Sequence, residues 1–237
     1  MYYYYLLFIS FLICTNIQAQ TDTFHIKVVN IEALRQQDAT PGIKFENIDS
    51  ISLKQFNTES LSDLLSAESG VIIKNYGPGS LASSTIRGGN ANQTAVIWNG
   101  FNINNPMLGQ TDLSVIPEFF ADKISMQYGG GSAQWGSGAV GGAVLLNSAT
   151  FFNKGVDAEV NIGAGSYGWL RQSFKTNYSN NRWIFNLKAF NDYSSNNFRF
   201  QNSITLEKQF QKHARTQGQG VLSEIVYRIN KNGTLSI

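Results

Sequence analysis

The chain has 237 residues, 22 of them glycine, with 13% aromatic but only 14% charged residues and a formal net charge of +2. That is room for one or two domains of strand-and-turn composition, and the charges form no block of Lys or Arg, so the sequence carries no electrostatic footprint for nucleic acid. With Cys14 as its one cysteine, the chain can build neither a disulfide framework nor a cysteine metal site.

The apolar stretch Leu6–Ile13 is too short to cross a bilayer and is followed by the small residue Ala19, which predicts a secretory signal peptide over residues 1–19 with cleavage before Gln20. Tyr2–Tyr5 in place of a basic start, and the bulky Ile17, depart from that pattern. The alternative, a lipid anchor on Cys14, conflicts with Ile13, which is not the small residue such signals need. Beyond Ala19 no apolar run is long enough for a membrane helix, so any insertion must be by strands.

Residues 20–40 form a polar leader, expected in the periplasm. Within it Phe24-His25-Ile26-Lys27-Val28-Val29 alternates apolar and polar, which suits either a disordered leader or an orphan strand that adds to the edge of a partner's sheet. Pro41-Gly42 ends this stretch, and Ile43–Ile48 alternates as a half-buried strand does. Thr58–Ala67 predicts a short helix, capped by Thr58 or Ser60, with Leu61, Leu64 and Leu65 on one stripe. A strand from Val71 and a loop over Tyr76–Ser80 follow. Asn99-Gly100 tolerates the positive backbone angles of a tight hairpin, and the amide-rich run Asn102–Thr111 predicts an exposed loop. Leu113–Met126 predicts a short helical piece around Pro117–Phe120 and then a strand. Gly129–Gly142 alternates glycine with small residues, which lets backbone approach backbone.

After Ser148 the pattern changes. Val156, Ala158, Val160, Ile162 and Ala164 fall on one face, with Asp157, Glu159 and Asn161 on the other; one face suits lipid and the other water. Trp169–Tyr178, Trp183–Tyr193, Asn197–Phe210 and Gly220–Ile229 repeat the theme, with Trp169, Tyr178, Trp183, Tyr193 and Tyr227 near segment ends, where aromatic girdles sit. Thr234–Ile237 opens one more strand.

The inventory argues against an enzyme. His25 and His213 stand apart without Cys or clustered carboxylates, and Gly129-Gly130-Gly131 lacks the Gly-Lys-Ser/Thr ending of a phosphate loop. No cofactor or metal is expected, and Asp112, Glu118 and Asp122 are expected to be surface and cap residues.

Ser84-Thr85-Ile86-Arg87-Gly88-Gly89, then Ala95-Val96-Ile97-Trp98-Asn99-Gly100-Phe101, then Met126-Gln127-Tyr128-Gly129 through Gly136-Ser137-Gly138-Ala139-Val140-Gly141-Gly142 occur in that order, with Leu61-Ser62-Asp63-Leu64-Leu65 upstream. Over roughly Ile43–Ser148 these pieces resemble the plug domain of TonB-dependent outer-membrane receptors. Arg87–Asn92 and Ser114–Pro117 look more like the cobalamin-receptor branch than the siderophore branch. Two departures are Asn99-Gly100 where family plugs have Asp-Gly, and Gly130-Gly131 where they have Gly-Pro.

The resemblance implies an α+β plug domain followed by the start of a transmembrane antiparallel β-barrel, with the plug over residues 41–150 and the first barrel strands over 151–237. A plugged barrel of this kind has 22 strands, which at ~10 residues each plus turns needs roughly 400 residues after the plug, so the chain is expected to be the front portion of a longer receptor. It implies import of a scarce nutrient, of cobalamin or iron-siderophore type, in the outer membrane of a Gram-negative bacterium. The implied partners are a TonB-type energy-coupling protein, a small-molecule ligand and outer-membrane lipid. Thr23, Phe24, His25, Ile26, Lys27, Val28 and Val29 fall where such receptors carry the TonB box. Arg87 falls where they latch the plug to acidic residues of the barrel wall, and Tyr76, Ser80, Asn102, Asn104, Asn105 and Gln110 lie in loops that touch ligand. The alternative from another class is a plug-bearing surface receptor that binds or signals without importing.

Overall fold

The computed structural model describes residues 43–77, 79–230 and 233–237. The predicted signal peptide and the Thr23–Val29 segment lie outside them.

Strand β1 (Lys44–Asn47) is followed by helices α1 (Ser50–Gln55) and α2 (Leu61–Glu68). Helix α1 has no sequence stripe to announce it, because none of its residues is buried; it is started by Asp49, whose carboxylate accepts from the Ser52 amide at 2.7 Å. In α2 the cap is Ser60 and not Thr58. The Ser60 and Asp63 side chains each accept from the other's backbone N–H, a reciprocal box that satisfies two free donors, while Leu61, Leu64 and Leu65 are buried. Strands β2 (Ile72–Asn75) and β3 (Ala82–Thr85) form a two-stranded ribbon around the Tyr76–Ser80 loop.

The plug's main sheet adds β4 (Thr94–Trp98), β5 (Phe101–Asn102), β6 (Lys123–Tyr128) and β7 (Gly142–Asn147) to β1, in the order β1-β6-β7-β4-β5. The β4–β7 pair is parallel and the others antiparallel. Both faces are covered. Val96, Val144 and Leu146 point into a core with α2, whereas Ala95, Ile97, Ala143 and Leu145 point into a second core with Phe45 and Trp135. Burial on both sides is why β4 and β7 read as continuous apolar runs. Asn99 (φ 46) and Gly100 (φ 89) make the tight β4–β5 turn with both backbone angles positive.

The glycine-rich segment holds a short helix α3 (Ser132–Trp135) before returning to the sheet. At Gly142 (φ 154) a Cβ would lie 2.3 Å from the Gln127 carbonyl oxygen, so only glycine lets β7 start beside β6.

From residue 155 the chain forms a five-stranded antiparallel sheet: β8 (Gly155–Gly165), β9 (Trp169–Ser179), β10 (Trp183–Ser194), and, after a hairpin of β11 (Arg199–Gln201) and β12 (Lys208–Phe210), β13 (Thr216–Asn230) and β14 (Gly233–Ser236). The order is β14-β13-β10-β9-β8. Residues 197–210 therefore do not form a barrel strand. The Asn202 side-chain oxygen accepts from the amides of Ile204 and Thr205 and its carbonyl from Leu206, folding the stretch back on itself, and β10 pairs with β13 over Trp183–Ser194.

This sheet is inside out. Val156, Val160, Ile162 and Val221 are 73%, 66%, 70% and 71% exposed, while Arg171, Ser173, Asn186 and Lys188 on the opposite face are buried against the plug. An apolar outer face and a polar inner one is the arrangement of a barrel wall in lipid. Trp183 lies 4.5 Å from Tyr227 and 5.7 Å from Phe185 between ring centroids, and Phe185 stacks on Tyr178, an aromatic band at one end of the outer face. Trp169 points inward instead, over Gly163 and Gly165. No helix among the described residues is long and apolar enough to cross a membrane.

Gly142→Ala should destabilise the plug by about 1–3 kcal/mol, because the added methyl meets backbone and not a movable side chain; urea unfolding followed by plug tryptophan fluorescence measures it.

Candidate functional site

The polar inner face of β8, β9, β10 and β13 meets the plug through a small set of side chains. Asp122, just before β6, places Oδ1 between two strand lysines: Lys175 at 2.5 Å and Lys188 at 2.9 Å. Its Oδ2 accepts from the Ala149 amide at 2.9 Å. Lys188, whose side chain is 1% exposed, also donates to the Phe120 carbonyl at 2.7 Å. A buried ammonium is tolerable only with such partners. Burial opposes ionisation of Asp122, but the ammonium groups of Lys188 and Lys175 outweigh it and hold the carboxyl below its ordinary range. Beside this node Phe120 meets Phe190 edge to face at 5.5 Å.

Two further links flank it. Arg171 donates from its guanidinium to the Thr58 carbonyl at 2.7 Å and pairs with Asp192 at 3.2 Å. Glu224 on β13 accepts from the Ser148 hydroxyl at 2.5 Å and from the Asn99 side-chain Nδ2 at 2.9 Å, which ties the β4–β5 turn to the wall.

Glu118 and Asp122 are thus not the surface residues the sequence suggested. Glu118 is 2% exposed, and among the described residues its Oε2 has no hydrogen-bond partner. Burial pushes its carboxyl up to about 8; Lys175 and Lys188 oppose the shift, and Asp122 and Glu159 add to it. At neutral pH it is a neutral acid, the form that needs least solvation.

Of the residues singled out from sequence, Arg87 (φ 53) is exposed on a turn closed by the Gly89 amide donating to the Ile86 carbonyl at 3.1 Å. Its guanidinium lies against Gly129, so the Ile86–Gly89 motif and the glycine-rich segment are brought together. Among the described residues it makes no ion pair.

The two loops adjoin at their bases, where Ala82 bonds Asp112 and Leu113, and differ in what they line. Tyr76 is 71% exposed and Ser80 half-buried, and Gly79 packs directly on Thr216 at the start of β13. Asn75, Gly77 and Gly79 border a polar cleft of about 470 Å³ whose far wall carries Trp169, Arg171 and Asp192. This is the end of the sheet that carries the long connection over residues 195–215, and the long loops of outer-membrane barrels face outward. The Asn102–Gln110 loop does not line that cleft. Its amides brace the loop itself: Asn104 accepts from the Val96 amide and donates to the carbonyls of Thr94 and Gly109, Asn102 accepts from the Asn104 amide, and Asn105 accepts from Met107 and Leu108. The Gln110 carbonyl accepts from the Asn105 amide, and Met107 stands 94% exposed at the tip.

Sequence reasoning took Asp122 for a surface or cap residue and passed over Lys175, Lys188, Arg171 and Glu224. The strand residues carried a usable signal: each has the inward parity within a segment whose other face is apolar, and a charge at such a position must find a partner inside.

Residues 35–143 match the family model described as the TonB-dependent receptor plug domain. The vitamin B12 transporter BtuB of Photobacterium profundum is 34% identical over 127 residues, 53% of this chain and 20% of that protein. Its counterpart in Vibrio vulnificus is 26% identical over 140 residues, 59% of this chain and 23% of the relative. The chain therefore spans about a fifth of the length of these relatives. Among solved structures, the FrpB iron transporter from Neisseria meningitidis superposes with a TM-score of 0.64 at 18% identity, covering 81% of this chain and 31% of that one. The copper transporter OprC gives 0.62 at 16% identity, covering 83% and 30%; at such identity the likeness is one of fold.

Fold and comparisons together define a plug domain leading into the wall of an outer-membrane β-barrel. Residues 35–143 carry the plug domain of TonB-dependent receptors, and in sequence the chain is similar to the vitamin B12 transporters among them. The named relatives are transporters and not enzymes.

Glu118 gives a pH dependence of definite sign. Below its ordinary value of 4.5 it is protonated folded and unfolded alike; between there and about 8 only the unfolded chain ionises, so stability falls as pH rises and levels off above. The raised carboxyl of Glu59, also driven by burial, acts in the same direction. Glu118→Gln should flatten most of this slope and leave the variant more stable than the parent at pH 8, as read from urea midpoints across that range.

Proposed function

We propose that this chain is the ligand-gated front of an importer: a scarce nutrient of cobalamin or iron-siderophore type binds from outside, and a TonB-type protein in the periplasm draws on the leader and moves the plug. The observation that carries this reading is the sequence match of the plug to vitamin B12 transporters, joined to a wall with an apolar outer and a polar inner face. The energy comes through the partner, so the mechanism needs no nucleotide or metal site in the plug.

In this reading Tyr76 and Ser80 meet ligand at the mouth of the outward cleft, and Asn102, Asn104, Asn105 and Gln110 shape a second contact loop. Asn104 acts there by holding the loop's form, since its amide is engaged internally. Arg87 serves as a latch toward carboxylates of the barrel wall; its exposure and its freedom from ion pairs among the described residues leave it available for that role. Thr23–Val29 joins the coupling protein by strand addition, in which backbone hydrogen bonds supply the affinity.

Ile26→Pro removes a ladder donor from that segment without touching the loops. Uptake of labelled cobalamin or ferric siderophore should be abolished while binding to whole cells stays at the parent level. Unchanged uptake would remove the segment from the mechanism, and failure of the parent itself to bind either ligand class would remove both as substrates.

A further inference from the structure

We propose that Asp122, Lys175 and Lys188 form a second plug latch of inverted polarity, with the carboxylate on the plug and the cations on the wall, which positions the later half of the plug against the first barrel strands. The argument begins from Lys188. It sits mid-strand on β10 with its side chain 1% exposed, and its partners all come from the plug: the Asp122 carboxylate at 2.9 Å and the Phe120 carbonyl at 2.7 Å. Lys175 on the adjacent strand reaches the same Asp122 oxygen at 2.5 Å. Two cations on neighbouring strands repel one another unless an anion lies between them, so the wall itself is completed by the plug's carboxylate.

Asp122 is in turn fixed by plug backbone: its amide donates to the Asn147 carbonyl at 3.0 Å, and its second oxygen accepts from Ala149 at 2.9 Å. The node therefore joins β9 and β10 to the point where β6 begins and β7 ends. Sequestered ion pairs with complete hydrogen bonding hold until water reaches them, and loss of one member leaves the other buried and uncompensated. By contrast, Arg87 and the Ile86–Gly89 turn make no ion pair with these strands. The Asp122 node thus fixes the later segment of the plug, while Thr58 and Asn99 of its earlier part are tied separately to Arg171 and Glu224. This latch stands independently of what ligand or energy source the receptor uses.

The test uses the protein purified from outer membranes, with barrel folding followed by the gel shift on boiling and plug docking by the rate of protease cleavage within residues 43–150. Asp122→Asn should raise that rate about 100-fold or more while the barrel stays folded. The reversed pair Asp122→Lys/Lys188→Glu should recover most of the protection lost in Asp122→Lys alone, which a merely space-filling role of Asp122 would not do. Where Asp122→Asn does not reach the membrane, Asp122→Asn/Lys188→Met takes its place: it removes the latch without leaving Lys188 charged, so a folded barrel with a readily cleaved plug is expected. Unchanged protection in Asp122→Asn or in that neutral pair, or no recovery in the reversed pair, overturns the proposal.

Discussion

A strand has only two faces, and in the sheet from β8 to β14 those faces meet opposite solvents. The outer one has no hydrogen bonds to offer and the inner one is packed with dipoles and charge. Everything else in the structure answers this constraint. Backbone groups are satisfied by strand pairing, as lipid requires, so the outer face can be largely apolar and aromatic. Polar side chains are driven inward by parity, where they face a plug and not bulk water. Lysines and an arginine placed there need partners, and the plug supplies a carboxylate and two backbone carbonyls.

The plug meets that demand because its own folding is already complete. Its mixed sheet closes two apolar cores on opposite faces, and neither draws on the wall for its buried residues beyond local contacts. The polar ends of its elements are then free to meet the strands: the Thr58 carbonyl ahead of α2, the Phe120 carbonyl and Asp122 ahead of β6, and Ser148 after β7. These are chain segments between regular elements, where backbone groups lack partners of their own.

Much of this was legible in the sequence where one period or one turn decides it. The alternation from Val156 to Ala164 announced the wall, Asn99-Gly100 the hairpin, and Leu61, Leu64 and Leu65 the buried face of α2. The ordered glycine motifs identified the plug. What stayed hidden depended on partners far along the chain. Asp122 looked like a surface carboxylate because nothing local reveals that Lys175 and Lys188 lie opposite it. Residues 197–210 read as a strand because a hairpin arm has the same period as a spanning strand, and only the pairing of β10 with β13 separates the two. Arg87 stands out by motif, but the motif names no partner for it. Ser60 outranked Thr58 as a cap because its side chain could engage Asp63 three residues on.

The division of labour between apolar cores inside the plug and polar bonds at its edge has a consequence for wetting. An interface sealed by hydrocarbon expels water and resists its return, since parting it exposes surface that water cannot bind. The boundary between plug and wall is built the other way. Apart from the Phe120–Phe190 contact and the packing of Gly79 on Thr216, the links are made by a carboxylate, an ammonium, a guanidinium, amides, hydroxyls or carbonyls, each of which water can solvate as soon as it is uncovered. A plug held like this can loosen without presenting oily surface to the periplasm, and it can return by shedding water one bond at a time. The same fold is then a tight seal when dry and a reversible joint when wet.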